Sequence, residues 1–262
     1  MNKLIIASAL FSTLAICSGT VSANAYHAEV EATTGFDHSN HGHSGNEFGV
    51  HGTYFFKRVD IHDVPLAETA YLDRASSVSA HAHYADHGNT EDDTYGAEFK
   101  VYAPANLYFG AGVSESREKW REHGIKNDLN TTYYDAEVGV LPIQGLLIAA
   151  GVKGYENDHE NGVSPTLRAK YVTKIADKFV NFEAETSFGD LKEFNVASDF
   201  YINHTLSVGA DFHRNDVEDV SEVGIKTRKF LNAQFSLEGR VGFGEERDQN
   251  YTTFDLAARY HF

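Results

Sequence analysis

The chain has 262 residues, 38 acidic against 22 basic side chains and a formal net charge of −16. That excess argues against a nucleic-acid partner, because phosphate binding needs clustered Lys and Arg, and 13% aromatic residues argue against disorder. A negative mean hydropathy excludes a multi-helix membrane protein, which leaves a soluble all-β protein or an outer-membrane barrel.

Met1–Ala25 reads as a secretory signal peptide. Lys3 precedes an apolar run from Leu4 to Cys17, and Ala23-Asn24-Ala25 offers the small residues of a cleavage site. The sole cysteine, Cys17, lies inside it, and the bulky Ile16 before it speaks against a lipoprotein signal. Residues 26–262 then form one domain without disulfides.

From Tyr26 onward the recurring signal is period two, which sends alternate side chains to opposite faces of a strand. Fourteen such segments are predicted, with twelve or sixteen as alternatives, starting near Tyr26, Phe48, Ser76, Thr94, Leu107, Thr131, Leu146, Thr166, Phe179, Phe194, Thr205, Ser221, Ala233 and Tyr251. Each has room for the ~9–11 residues of a tilted spanning strand. Short connections at Ala103–Ala105, Leu141–Gly145, Ala176–Lys178, Asn203 and Lys229–Leu231 alternate with longer polar ones. The long ones are Gly35–Asn46, Asp86–Asp93, Arg117–Asn130, Glu156–Ser164, Asn215–Asp219 and Glu245–Asn250. No proline is expected inside a strand. Aromatics near strand ends, including Tyr54, Phe55, Phe56, Tyr102, Tyr108, Phe200 and Tyr201, are expected to form one of two interfacial belts. A soluble lipocalin-like barrel gives the same alternation with its faces reversed. Loop asymmetry, paired belts and the terminal Phe262 favour an all-β, transmembrane, antiparallel up-and-down barrel.

Phe254, Leu256, Ala258, Tyr260 and Phe262 resemble the C-terminal assembly signal of bacterial outer-membrane proteins, which implies the barrel assembly machinery as a partner. Tyr54–Asp60, Pro65-Leu-Ala-Glu68 and Tyr71–Ser76 are similar to the N-terminal signature of a family of proteobacterial general porins, with Tyr71 in place of the usual Phe. The match covers about thirty residues of the chain. It implies a passive channel in the outer membrane, in contact with lipid and lipopolysaccharide, and leaves self-association open. The stretch Lys57–Arg74 is too long for a periplasmic turn, so it reads either as an elaborated turn packed on the rim or as a plug entering the lumen.

If the apolar faces meet lipid, the other faces line a lumen. Arg168, Lys170, Lys174, Lys226, Arg228 and Arg240 are then cationic pore-lining candidates, and Glu98, Glu137, Glu183 and Glu185 acidic ones. Such charges either face one another across the lumen and tune ion selectivity, or pair across strands and fill it. His38, His41 and His43 are weak candidates for a metal, because their loop spacing is loose. No Gly-x-Ser-x-Gly elbow, His-Glu-x-x-His helix or phosphate-binding glycine motif occurs, so neither catalysis nor a cofactor is expected. The expected function is passive diffusion of small polar or charged solutes. The alternative is a plugged structural or adhesin-type barrel acting through its outer loops, among which Arg117–Asn130 carries Trp120.

Overall fold

A computed structural model describes residues 25–39, 44–122 and 125–262. The expected signal peptide lies almost wholly outside these residues, as do His41 and His43. Fourteen strands follow one another: β1 (Ala25–Ser39), β2 (Gly45–Asp60), β3 (Ser77–Asp86), β4 (Thr90–Ala103), β5 (Leu107–Glu122), β6 (Ile125–Ile143) and β7 (Leu146–Asn157). The second half comprises β8 (Asn161–Ile175), β9 (Lys178–Ser187), β10 (Glu193–Asn203), β11 (Leu206–Asn215), β12 (Val220–Phe230), β13 (Phe235–Glu246) and β14 (Gln249–His261). Each pairs antiparallel with its chain neighbours, and β1 pairs with β14 to close the ring. Phe262 completes the seam, donating from its N–H to Ala28 O at 2.8 Å and accepting from His27 N–H at 2.8 Å.

The orientation of the two faces decides the solvent. Phe36, Tyr95, Phe109, Val113, Leu167, Phe182, Phe200, Ile225, Phe254 and Leu256 project outward and are exposed. On the inner parity, Thr53, Ser77, Ser79, Asn181, Ser207 and Ser236 are buried. A soluble barrel hides its apolar face and wets its polar one; this barrel does the reverse, as a lipid surround requires.

Three expectations are corrected. The long outer loops are mostly strand: β5 and β6 pair as far as Glu122 and Ile125, β7 and β8 as far as Glu156 and Asn161, and β3 and β4 as far as Asp86 and Glu91. Ladder hydrogen bonds use backbone groups alone, so a polar stretch carries the strand on above the lipid. Pro142 and Pro165 do lie inside strands. The β6–β7 register breaks between Val140 and Ile143, around Pro142, and the β8–β9 ladder starts only at Thr166, just beyond Pro165. Both sit where no ladder N–H is demanded of them. Finally, Phe55, Tyr108 and Tyr201 do not belong to a lipid belt: they are 5%, 1% and 4% exposed and turn inward, where a chain segment covers them.

That segment is the β2–β3 connection, in which a 3₁₀ turn (Leu66–Glu68) runs into one helical turn, α1 (Thr69–Leu72). Pro65 precedes it with φ of −56°, preset for helix entry. Ala70 packs against Tyr26, Phe55, Val59 and Ala75. Leu66 donates its N–H to His204 O at 3.0 Å, and His204 Nδ1 lies 3.0 Å from Val64 O. His204 belongs to the β10–β11 turn, on the far side of the ring from β2 and β3. The connection therefore spans the mouth at the end where β1 begins and β14 ends.

Candidate functional site

The lumen is built by strand parity, which brings polar side chains from every strand onto one inner surface. Near the spanned mouth, Glu68 is the centre. Its Oε1 accepts from Tyr201 Oη at 2.6 Å and its Oε2 lies 2.9 Å from Lys170 Nζ. Lys170 also donates to Glu183 Oε1 at 2.5 Å, and Asn181 Nδ2 supports that carboxylate at 3.1 Å. Tyr71 on α1 donates to Gly145 O at 3.0 Å and Lys170 O at 3.1 Å. Burial, with Tyr102 and Glu68 nearby, holds the Tyr71 hydroxyl above the ordinary tyrosine range, so it remains a donor at physiological pH. A cavity of about 280 Å³ is bounded below by Glu68, Ala70 and Tyr71 and laterally by Glu29, His51, Lys100, Arg168 and Arg259.

Farther out, a second cavity of about 420 Å³ is lined by Glu98, Lys100, Asp135, Glu137, Lys153, Arg168, Glu185 and Glu193. Arg168 Nη1 donates to Glu137 Oε1 at 2.8 Å, and Tyr108 Oη reaches the same oxygen at 2.8 Å. Lys153 pairs with Glu193, and Lys100 with Glu98 at 2.9 Å. On the opposite wall Lys226 pairs with Asp199 at 3.2 Å and Arg228 with Glu238 at 2.7 Å. Arg240 gathers three carboxylates. It forks onto Asp211 with two contacts of 2.8 Å, bonds Glu222, and reaches Asp255 at 3.2 Å.

Of the sequence candidates, Arg168, Lys170, Lys226, Arg228, Arg240, Glu137 and Glu183 thus enter cross-lumen or cross-strand ion pairs, whereas Glu98 pairs with Lys100 along its own strand. Glu185 lines the second cavity; among the described residues neither it nor Asp135 makes an ion pair. Lys174 stands apart, exposed near the end of β8 with its ammonium over the Phe179 ring at 4.8 Å. His38 Nδ1 meets Ser44 Oγ at 3.1 Å, and among the described residues no group of three potential metal ligands is assembled.

Lys153 and Arg259 were not among the candidates, although their parity is the same; Arg259 bonds Glu31 Oε2 at 2.5 Å. Glu68 and Tyr201 carried no signal of their meeting, since 133 residues separate them.

No known family model matches the chain, and no curated relative does. Among solved structures, the Acinetobacter baumannii outer membrane protein Omp33 superposes with a TM-score of 0.70 and 26% identity, covering 92% of this chain and 100% of that one. The chain is a bacterial outer-membrane β-barrel. Its porin architecture agrees with the resemblance seen in Tyr54–Ser76. Two other barrels share the fold: the CymD monoaromatic hydrocarbon channel, at TM-score 0.57 and 7% identity over 90% of this chain and 89% of that one, and the P. putida toluene transporter TodX, at 0.53 and 8% over 91% and 90%. The outer apolar surface of the barrel is accordingly its lipid contact.

Proposed function

We propose that this outer-membrane barrel is a porin through which small polar or charged solutes diffuse passively, with cations favoured. The observation that carries the reading is the inverted barrel: apolar side chains face lipid while ionised pairs line the interior. An apolar solute finds no matching wall there. The pairs neutralise most lumen charge in place, and Asp135 and Glu185 add carboxylates that make no ion pair among the described residues. Unpaired wall carboxylates concentrate cations in a narrow polar path.

The span of the mouth by Leu66–Leu72 supports a second reading, a barrel closed at its periplasmic end that works through its outer hairpins. One experiment separates them. Reconstituted barrel should make liposomes permeable to small sugars and give discrete current steps in planar bilayers; tight liposomes and silent bilayers would establish the closed barrel instead.

Residues 1–25 are read as an export signal removed after Ala25, which N-terminal sequencing of the membrane-inserted protein tests. Phe262 is read as the recognition residue for the assembly machinery. Its aromatic ring packs against Tyr260 at 4.8 Å, and its backbone locks the β1–β14 seam. Replacement by Ala should lower the folded, membrane-inserted yield in cells while leaving refolding in detergent intact.

A further inference from the structure

At the outer end, β6 residues 125–130 pair only with β5, because the β6–β7 ladder begins at Thr131 and Asn157. The β5–β6 hairpin therefore stands above its β7 neighbour as a tongue. Between it and the β3–β4 hairpin lies a cleft of about 470 Å³, within the roughly 300–1,000 Å³ range of small-ligand sites. Trp120, the sole tryptophan of the chain, lines it.

The chemistry of the lining selects a ligand class. Arg117 donates to Asp128 at 2.7 Å, and Lys119 is ion-paired with Asp93. Both cations are thus paired, and the Glu91 carboxylate also lines the cleft, so among the described residues an anion meets no unpaired cation there. The amides of Asn89 and Asn127 also line the cleft, and each amide offers donors and an acceptor. Hydroxyl groups, which donate and accept at once, complement them. The indole face carries negative quadrupole potential and suits the weakly positive C–H face of a pyranose ring. A lone aromatic ring among polar groups offers too little apolar area for a lipid chain.

We propose that this cleft binds short, uncharged saccharides at the outer end of the barrel. The site requires only the outer hairpins and does not rest on the channel reading. Its sugar can come from two sources, free oligosaccharide or the polysaccharide of neighbouring lipopolysaccharide.

The single tryptophan makes the test direct. The full barrel in detergent is titrated with maltose, lactose and delipidated lipopolysaccharide polysaccharide while indole emission is followed, with inorganic phosphate as the anionic control. A saturable emission change with a free disaccharide supports the site and names solute as the source; saturation with polysaccharide alone supports it and names the cell surface. The double variant N89A/N127A, checked for heat-modifiable mobility on gels, should bind about tenfold more weakly through lost hydrogen bonds. No saturable response to any sugar, a stronger response to phosphate, or unchanged affinity in the double variant would overturn the proposal.

Discussion

Tyr201 on β10 donates its hydroxyl hydrogen to Glu68 at 2.6 Å, and so fastens the connection that crosses the mouth to the barrel wall. Glu68 as a residue is 4% exposed, and its carboxylate is shared with Lys170. Removing the hydroxyl in Tyr201→Phe costs one buried hydrogen bond, about 1 kcal/mol, or roughly fivefold in the docked population. Glu68→Ala also leaves Lys170 with one carboxylate fewer, for about 2 kcal/mol, or roughly thirtyfold. Single-channel recordings should show larger or longer openings in that order, Tyr201→Phe below Glu68→Ala. Equal conductance in all three proteins would mean that the segment does not limit flow.

Arg240 holds Asp211, Glu222 and Asp255 in one cluster whose formal charge is negative even with the guanidinium present. Arg240→Ala brings three uncompensated carboxylates together in a half-buried wall, at a cost of about 3 kcal/mol. Arg240→Lys retains the charge but loses the two-pronged grip on Asp211, so it should fall between Ala and the native barrel. The temperature at which the folded band converts to the unfolded one on gels measures the order. Screening at high salt should narrow the gap for Arg240→Ala, because its loss is largely repulsion among wall charges.

Strand number and lumen-facing parity were readable because a barrel wall repeats every two residues, and Leu167–Ile175 against Arg168–Lys174 shows both faces without ambiguity. Arg168 and Lys170 were legible as lumen charges for that reason. Their partners were only half legible. Glu183 lies on the adjoining strand, whereas Glu68 arrives from a connection that follows neither period. Phe55, Tyr108 and Tyr201 read as belt aromatics from their place near strand ends, whereas parity alone places all three inside. The outer hairpins look like loops in the sequence because their polar composition is that of irregular backbone. Residues such as Glu156 and Asn161 are polar for the water around them, and the ladder between their strands is indifferent to that.

Asp135 and Glu185 line the second cavity and make no ion pair among the described residues, so replacing them tests selectivity without breaking one. Asp135→Asn with Glu185→Gln removes two negative charges from the second cavity and releases no buried cation. A unit charge a few ångströms from a permeating ion in a hydrated path is worth about 1 kcal/mol, so removing two should lower the cation-to-anion permeability ratio by up to about thirtyfold. Reversal potential across a potassium chloride gradient reads this directly. Arg168→Gln should move the potential the other way, because it unmasks Glu137. A double variant that leaves the potential unmoved would place the ion path elsewhere in the lumen.

Gly145 unites turn geometry with the seating of α1. It closes the β6–β7 turn at φ +78°, a conformation that side chains disfavour, and a Cβ there would lie 2.2 Å from Val172 O. That oxygen is backbone and has little room to retreat. The Gly145 carbonyl meanwhile accepts from Val172 N–H at 2.8 Å and from Tyr71 Oη at 3.0 Å. Gly145→Ala should therefore lower stability by about 1–3 kcal/mol and loosen the mouth-crossing segment together with it. Gly52 supplies the control, since a Cβ there meets nothing within 4 Å. Gly52→Ala should match the native barrel in both gel-transition temperature and conductance. Gly145→Ala should melt earlier and conduct more. A variant that melts earlier at native conductance would show that the turn matters to the wall alone, and that Tyr71 keeps its place by its bond to Lys170 O.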